Sequence, residues 1–209
     1  MANINLTWPQ VLAWRLAQQH LDKPAPHDQM LAVVSRICGL QAQVMSAAAL
    51  ALAARVADAT PDDVAAALWT QRTLVKLWAM RGTLHLLPAA DIPLYVAAAR
   101  ATRRNHMRAG WLKYYGLTSE DMAAFLEAAR TILSDQPMTR AQFSELVVAQ
   151  IGAANLTTAL LSGWGSVLKP ASYHGYICFG PSQGQNITFV QPHHWLGDWQ
   201  EVAEEYAIA

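Results

Sequence analysis

Two glutamines, Gln41 and Gln43, lie two residues apart where one predicted helix ends and the next begins. In an extended link, side chains two positions apart point the same way, so both amides can face one cleft. An amide does not ionise, and its chemistry is limited to hydrogen bonds that position or stabilise a bound group. Glutamines in such places also cap backbone carbonyls or meet solvent. The residues alone leave both roles open.

A run of basic residues without an acid forms the second candidate. Its members are Arg100, Arg103, Arg104, His106, Arg108 and Lys113. Such a stripe can neutralise several phosphates, because counterion release depends on local contacts. Charge runs are also commonly solvated helix faces. The run therefore predicts either contact with DNA or an exposed basic surface.

Other side chains carry similar alternatives. Arg81 lies at a predicted hairpin turn, where it contacts phosphate or is solvated. His85 follows in a strand, where it is hydrogen-bonded within the fold or contacts DNA beside the cleft. Trp111, Tyr114 and Tyr115 can stack on bases, or they belong to the hydrophobic core.

The sequence predicts neither a metal nor a cofactor. His193 and His194 are adjacent, so they point oppositely in an extended link, and neither they nor His174 have a carboxylate at ligand spacing. There is no phosphate-binding glycine loop and no nucleophile elbow. Cys38 and Cys178 lie far apart and are expected to be reduced thiols in a cytoplasmic protein.

Composition bounds the class of protein. With 53% hydrophobic and 14% charged residues among 209, the chain fits a compact, helix-rich soluble protein rather than a disordered one. Its net charge is zero, which counts against a dedicated nucleic-acid module, since these are usually basic. The apolar stretch Ala47–Ala54 is too short to span a bilayer, so we expect no membrane association.

Helix-start signals recur along the chain. Thr7 precedes a proline and a glutamine, and this predicts a helix from about residue 8 to 19 that buries Val11, Leu12, Leu16 and part of Trp14. Thr60 repeats the signal, and Thr139 begins a capping box with a glutamine three residues later. A long helix from about residue 90 to 108 is expected to carry the basic run, followed by a link.

Two β-hairpins are predicted between the helices. Residues 74–87 alternate around a turn at 80–82, and residues 175–179 and 187–190 flank a tip at 181–186. Helices followed by a hairpin are typical of the winged helix-turn-helix. We therefore predict a mainly α fold of tandem winged-helix units with small β-hairpin wings.

Three segments follow from this organisation. Residues 1–110 form the first unit with its connecting helix, residues 111–195 form the second unit, and residues 196–209 begin a truncated further segment. The last segment starts an amphipathic helix without a terminating signal. We expect further domains of a longer parent chain to pack on this part.

The sequence resembles the AlkZ-like family of winged-helix DNA glycosylases. The resemblance is carried by Leu40-Gln41-Ala42-Gln43, by the run from Trp78 to Pro88, and by Ala13-Trp14-Arg15-Leu16-Ala17 in the first helix. It extends over essentially the whole chain, while family members usually continue well beyond this length. The resemblance implies removal of alkylated bases or unhooking of interstrand crosslinks in double-stranded DNA.

The resemblance also implies roles for individual residues. The family's Gln-x-Gln or Gln-x-Asp motif lines the base-excision site, which makes Gln41 and Gln43 the candidate catalytic pair. The DNA-binding candidates are Arg81, His85, Arg100, Arg103, Arg104, Arg108 and Lys113. The function expected is a monofunctional N-glycosylase for N7-type alkylated purines, and this length of chain is expected to need its further domains for activity.

The alternative function is a non-catalytic winged-helix protein that binds DNA for regulation. It would bind duplex DNA with a steep salt dependence and release no base. A third use of the same fold is contact with other proteins, which the neutral charge favours.

Overall fold

The computed structural model describes residues 5–103, 108–152, 156–163, 165–197 and 199–207. Over these ranges the chain is mainly helical and carries two small antiparallel sheets, as predicted. None of the helices described there has both the length and the apolar character needed to cross a membrane.

Short helices alternate with strands through both halves of the chain. The helices are α1 (Trp8–Gln18), α2 (Met30–Arg36), α3 (Met45–Ala53), α4 (Pro61–Ala65), α5 (Ile92–Thr102), α6 (Ala109–Tyr115), α7 (Ser119–Ile132), α8 (Arg140–Ile151), α9 (Leu156–Leu161), α10 (Lys169–Tyr173), α11 (Pro192–Leu196) and α12 (Glu204–Ala207). A π-helical turn, Ala66–Thr70, continues α4. Single 3₁₀ turns cover His27–Gln29, Met80–Gly82 and Ala89–Asp91.

Threonine hydroxyls begin several of these helices. Thr7, Thr60, Thr118 and Thr139 each accept a hydrogen bond from the backbone N–H three residues on, and the side chain of that residue accepts one from the threonine N–H. Such capping boxes satisfy two N–H groups that the helix itself leaves unpaired, and each cap is worth about 1 kcal/mol. The predicted starts of α1, α4 and α8 are confirmed.

The two sheets share one topology. The first contains β1 (Leu40–Gln41), β2 (Leu74–Trp78) and β3 (Leu84–Pro88) in the order β1-β3-β2. The second contains β4 (Met138–Thr139), β5 (Cys178–Gln183) and β6 (Asn186–Val190) in the order β4-β6-β5. Both hairpins are confirmed. The second is displaced toward its tip: its first strand begins at Cys178 rather than at residue 175, and the strands reach Gln183 and Asn186, which leaves only two residues for the tip.

The expected long helix over residues 90–108 is wrong. Helix α5 ends at Thr102, since Arg103 leaves the helical region with φ −104° and ψ 59°. Helix α6 begins at Ala109 and occupies the stretch predicted as a link, ending at Gly116 in the left-handed conformation. The basic run is therefore divided between two helices and the chain that joins them.

The predicted burial of α1 is also wrong. The helix forms as expected, yet it has no buried residue, and Trp8 and Trp14 are 74% and 63% exposed. Leu12 and Leu16 are exposed as well. Its apolar face has the spacing of a core-packed helix, but nothing in the described ranges covers it.

The hydrophobic core runs through both halves of the chain. One cluster joins α2, α3 and the π-helical turn to Leu74 and Leu86 of the first sheet. Another surrounds the fully buried Phe125, Phe143 and Phe189 of the second half and includes Trp78 from β2. The Trp78 ring lies 4.8 Å from that of Phe179, centroid to centroid. The first hairpin is thus packed directly on the second.

We expect Gly165→Ala to destabilise the protein more than Gly184→Ala. Both glycines have φ +61°, so alanine is strained at either place, but a Cβ at residue 165 would lie 2.5 Å from Cζ2 of Trp78, whereas residue 184 has open space. The shared strain costs about 1–2 kcal/mol, and the clash adds roughly 1–3 kcal/mol. Thermal and urea unfolding of the two variants measure the difference, and equal losses would contradict this packing.

Candidate functional site

The two glutamines lie on the open side of β1. Gln41 ends this edge strand, Gln43 follows it, and both residues are exposed while Ala42 between them is fully buried. The backbone N–H of Ala42 donates to the carbonyl of Leu84 at 2.7 Å, which fixes the link against β3. Among the described residues, neither glutamine side chain has a hydrogen-bond partner, so both amides are open to a bound molecule.

A row of three side chains crosses the first sheet beside them. Gln41 is paired with His85 on β3, and His85 is paired with Leu77 on β2. Directly opposed residues of antiparallel strands project to the same face. The row therefore passes from the exposed Gln41 through the half-buried His85 to the buried Leu77, at the rim of the apolar core.

His85 is a neutral imidazole with one defined hydrogen bond. Its Nδ1 lies 3.0 Å from the carbonyl oxygen of Thr83, and since a carbonyl only accepts, Nδ1 carries the proton and Nε2 is left as an acceptor. Burial lowers the pKa of His85, and the nearby charge of Arg81 lowers it further, against the raising effect of the Thr83 carbonyl. The ring is thus uncharged at neutral pH.

The first hairpin turn brings Arg81 beside this row. Arg81 and Gly82 both have left-handed backbone conformations, with φ 51° and 75°, and the turn is closed by the Gly82 N–H donating to the Ala79 carbonyl at 2.8 Å. The Arg81 side chain is exposed. The turn thus holds a cation at the edge of the sheet that carries the glutamines.

The predicted basic residues have different environments. Arg100 forms an ion pair with Glu201 at 2.8 Å and donates to the carbonyl of His174, which removes it from the open cations. Arg103 is half-buried at the end of α5, while Arg108 and Lys113 are exposed at the start and on the surface of α6. Arg104 and His106 lie outside the described residues.

Two residues that the sequence did not single out join Arg81 and Arg103. Lys169 and Tyr173, at the two ends of α10, line one cavity with these arginines. No local pattern marks them, because α10 belongs to the other half of the chain and reaches the turn only through folding. Trp111 lines the same cavity, while Tyr114 is 80% exposed and stacks edge-on against Tyr115.

The histidines considered as metal ligands have aromatic neighbours. His174 stacks on Tyr176, and His193 lies against Trp199 with ring centroids 3.7 Å apart. In the ranges that the structure covers, no three residues of the metal-binding types are grouped together.

Comparison with known proteins identifies relatives for this arrangement. The model of a family described as DNA glycosylase AlkZ-like matches residues 34–209. An interstrand DNA cross-link repair glycosylase of Streptomyces sahachiroi is 36% identical over 199 residues, which are 95% of this chain and 53% of that protein. The chain thus spans about half the length of this relative.

A solved structure has the same fold. The DNA glycosylase AlkZ of Streptomyces sahachiroi superposes with a TM-score of 0.84 at 33% identity, over 98% of this chain and 55% of that one. The family model covers most of the sequence, including both glutamines, both hairpins and the basic residues between them. The chain belongs to the AlkZ-like DNA glycosylase family.

Proposed function

We propose that this chain is the base-excision part of a DNA N-glycosylase that removes N7-alkylated purines or unhooks interstrand crosslinks, with Gln41 and Gln43 in its site. The observation that carries the proposal is the pair of exposed amides on either side of the buried Ala42. The family membership supplies the class of reaction, and the Streptomyces relative is named for crosslink repair.

The chemistry suits neutral amides. A purine alkylated at N7 is cationic, so it leaves with the bonding electron pair of its glycosidic bond as a neutral base. The sugar then develops oxocarbenium character, which the amide oxygens of Gln41 and Gln43 stabilise while they hold a water for attack at C1′. The water oxygen bonds to C1′ and its proton passes to solvent. No strong acid is needed, and a carboxylate would stabilise the cation more.

The surroundings of the glutamines support duplex DNA as the substrate. Arg81 lies on the hairpin turn next to the Gln41–His85 row, and Arg103, Arg108 and Lys113 are further candidate DNA contacts among the described residues. We propose that the two halves are tandem winged helices, residues 1–110 and 111–195. The support is their common sheet order, with a short strand beside a hairpin that follows helices.

The greater length of the relative suggests further domains. We propose that domains of a longer protein pack against this part and help to grip the duplex. The support is the exposed apolar face of α1, which leaves Trp8, Leu12 and Trp14 in solvent. An exposed face of this kind is typical of a protein interface.

We expect Gln41→Ala and Gln43→Ala each to slow base excision about a hundredfold. Loss of one preorganised polar group at a developing charge costs about 2–4 kcal/mol of transition-state stabilisation, which is roughly two orders of magnitude in rate. The measurement is formation of abasic sites under single-turnover conditions, with the complete natural protein and a duplex containing N7-methylguanine.

Gln150→Ala is the matched control for that experiment, since Gln150 is an exposed glutamine near the end of α8. It should leave excision unchanged, and all three variants should bind the duplex as the parent does. Excision that survives both glutamine substitutions would exclude this site. Tight binding by the parent protein without release of any base would favour the non-catalytic alternative.

We expect His85 to make stability pH-dependent in one direction. Because burial lowers the folded-state pKa of His85, the unfolded chain takes up a proton first as pH falls below about 6.5, the ordinary histidine pKa. The free energy of unfolding therefore decreases as the pH is lowered through that window. Melting temperatures between pH 7.5 and 5 should drop more steeply for the parent than for His85→Asn, and parallel curves would contradict the assignment of a neutral His85.

A further inference from the structure

The first hairpin turn and α10 enclose a small polar cavity at the junction of the two halves. It has a volume of about 180 Å³ and is lined by Arg81, Arg103, Lys169 and Tyr173, with Gly82 at its wall. Since water occupies about 30 Å³ per molecule in the liquid, this space has room for one small anion together with several waters. We propose that the cavity binds a single backbone phosphate of the DNA substrate.

The positive charge around the cavity favours the binding of an anion. Arg81, Arg103 and Lys169 all line it, and within the described ranges none of the three forms an ion pair with a carboxylate. Burial lowers the pKa of Lys169. An anion in this space would interact with all three side chains, and phosphate is an anion that both arginine and lysine bind.

Tyr173 supplies a neutral donor at the same place. Its side chain is nine-tenths buried, and its hydroxyl has no hydrogen-bond partner among the residues that the structure covers. Burial raises the pKa of the hydroxyl, partly opposed by the charge of Arg103, so it keeps its proton. Because Tyr173 lines the cavity, an anion bound there would accept a hydrogen bond from this hydroxyl.

Gly82 keeps the space open. A Cβ at this position would lie 2.8 Å from the Tyr173 hydroxyl oxygen and 3.9 Å from Nζ of Lys169. A side chain there would lie too close to the Tyr173 hydroxyl and would narrow the cavity. Gly82 also has a φ of +75°, which glycine adopts without strain. The same residue therefore forms the turn and leaves room for a ligand beside it.

The position of the cavity relates it to the glutamines. Arg81 is four residues before His85, so their Cα atoms are at most about 14 Å apart. Gln41, the strand partner of His85, lies about 5 Å further. Successive nucleotides rise about 3.4 Å along one strand. A phosphate in the cavity would therefore lie within roughly six nucleotides of the base at the glutamines. This step rests on the proposed function.

The test combines salt titration with neutral phosphates. Binding of a lesion-containing duplex is measured as a function of salt for the parent, for Lys169→Ala and for Tyr173→Phe. Lys169→Ala should lower the slope of log K against log salt by about one and weaken binding about tenfold. Tyr173→Phe removes only the hydroxyl, so it should weaken binding by a smaller factor with an unchanged slope.

Methylphosphonate substitution locates the contact. One or two adjacent neutral linkages within about six nucleotides of the lesion should weaken binding by the parent about tenfold, and these same positions should have a clearly smaller effect on Lys169→Ala. Lys23→Ala is the control, since Lys23 is an exposed lysine between α1 and α2. It should keep the sensitivity of the parent at every position. Circular dichroism melting establishes that each variant is folded.

The outcomes separate the two proposals. If the parent binds duplex DNA but Lys169→Ala keeps its slope and its sensitivity to the neutral linkages, the phosphate site is excluded while the proposed function stands. If the parent binds no DNA, both fail. If millimolar inorganic phosphate stabilises the parent but not Lys169→Ala, and the DNA measurements do not differ, the cavity binds a free anion and the assignment to the backbone is overturned.

Discussion

The orientation of the two glutamines depends on the pairing of only two residues of β1 with β3. Leu40 and Gln41 pair with Leu86 and His85, and the Ala42 N–H extends the pairing to the next carbonyl. Because side chains alternate along a strand, a slip of one residue would turn Ala42 outward and the amides inward. That slip would expose Leu40, worth about 1.5–3 kcal/mol when buried, and bury amides that lack partners. The hydrophobic core thus sets the direction of the polar groups.

The packing of one sheet on the other fixes the rest of the site. Trp78 at the end of β2 lies against Phe179 and Phe189 of the second hairpin, and its carbonyl accepts a hydrogen bond from the buried Ser172 hydroxyl at 3.1 Å. Ser172 belongs to α10. This contact therefore holds α10 close to the turn that begins two residues after Trp78. The cations of the two halves lie around one cavity because the hydrophobic cores of the two halves are in contact.

Local signals in the sequence were sufficient for the threonine-capped helix starts and for the two hairpins. The capping-box signal is a threonine with an acceptor side chain three residues later, so four consecutive positions contain it. Each hairpin is marked by alternating apolar and polar residues over several positions. Strand β1 was not predicted, because two residues are too few to show the alternation of a strand. The same two residues orient the candidate site. The helix predicted to continue to residue 108 ends at Thr102. Its alanine-rich sequence favours a helix but contains no signal for where the helix ends.

Other features depend on contacts that no local pattern contains. The glutamines could be located from the motif, but their exposure depends on pairing with a hairpin more than forty residues later. Lys169 and Tyr173 carry no motif, and they reach Arg81 only because α10 packs at the end of β2. Helix α1 shows the same limit. Its amphipathic sequence predicts that one face is covered, but it does not identify the segment that covers it.

The neutral net charge and the cationic cavity are compatible because electrostatic recognition is local. At physiological ionic strength the interactions of exposed charges are screened beyond about 8 Å, so a phosphate responds to the few cations around it rather than to the whole chain. Arg100 is neutralised by Glu201, whereas Arg81, Arg103 and Lys169 lack such partners among the described residues. Total charge is therefore a weak guide to DNA contact in this fold. Where the carboxylates pair, and which cations they leave unpaired, determines where a backbone can bind.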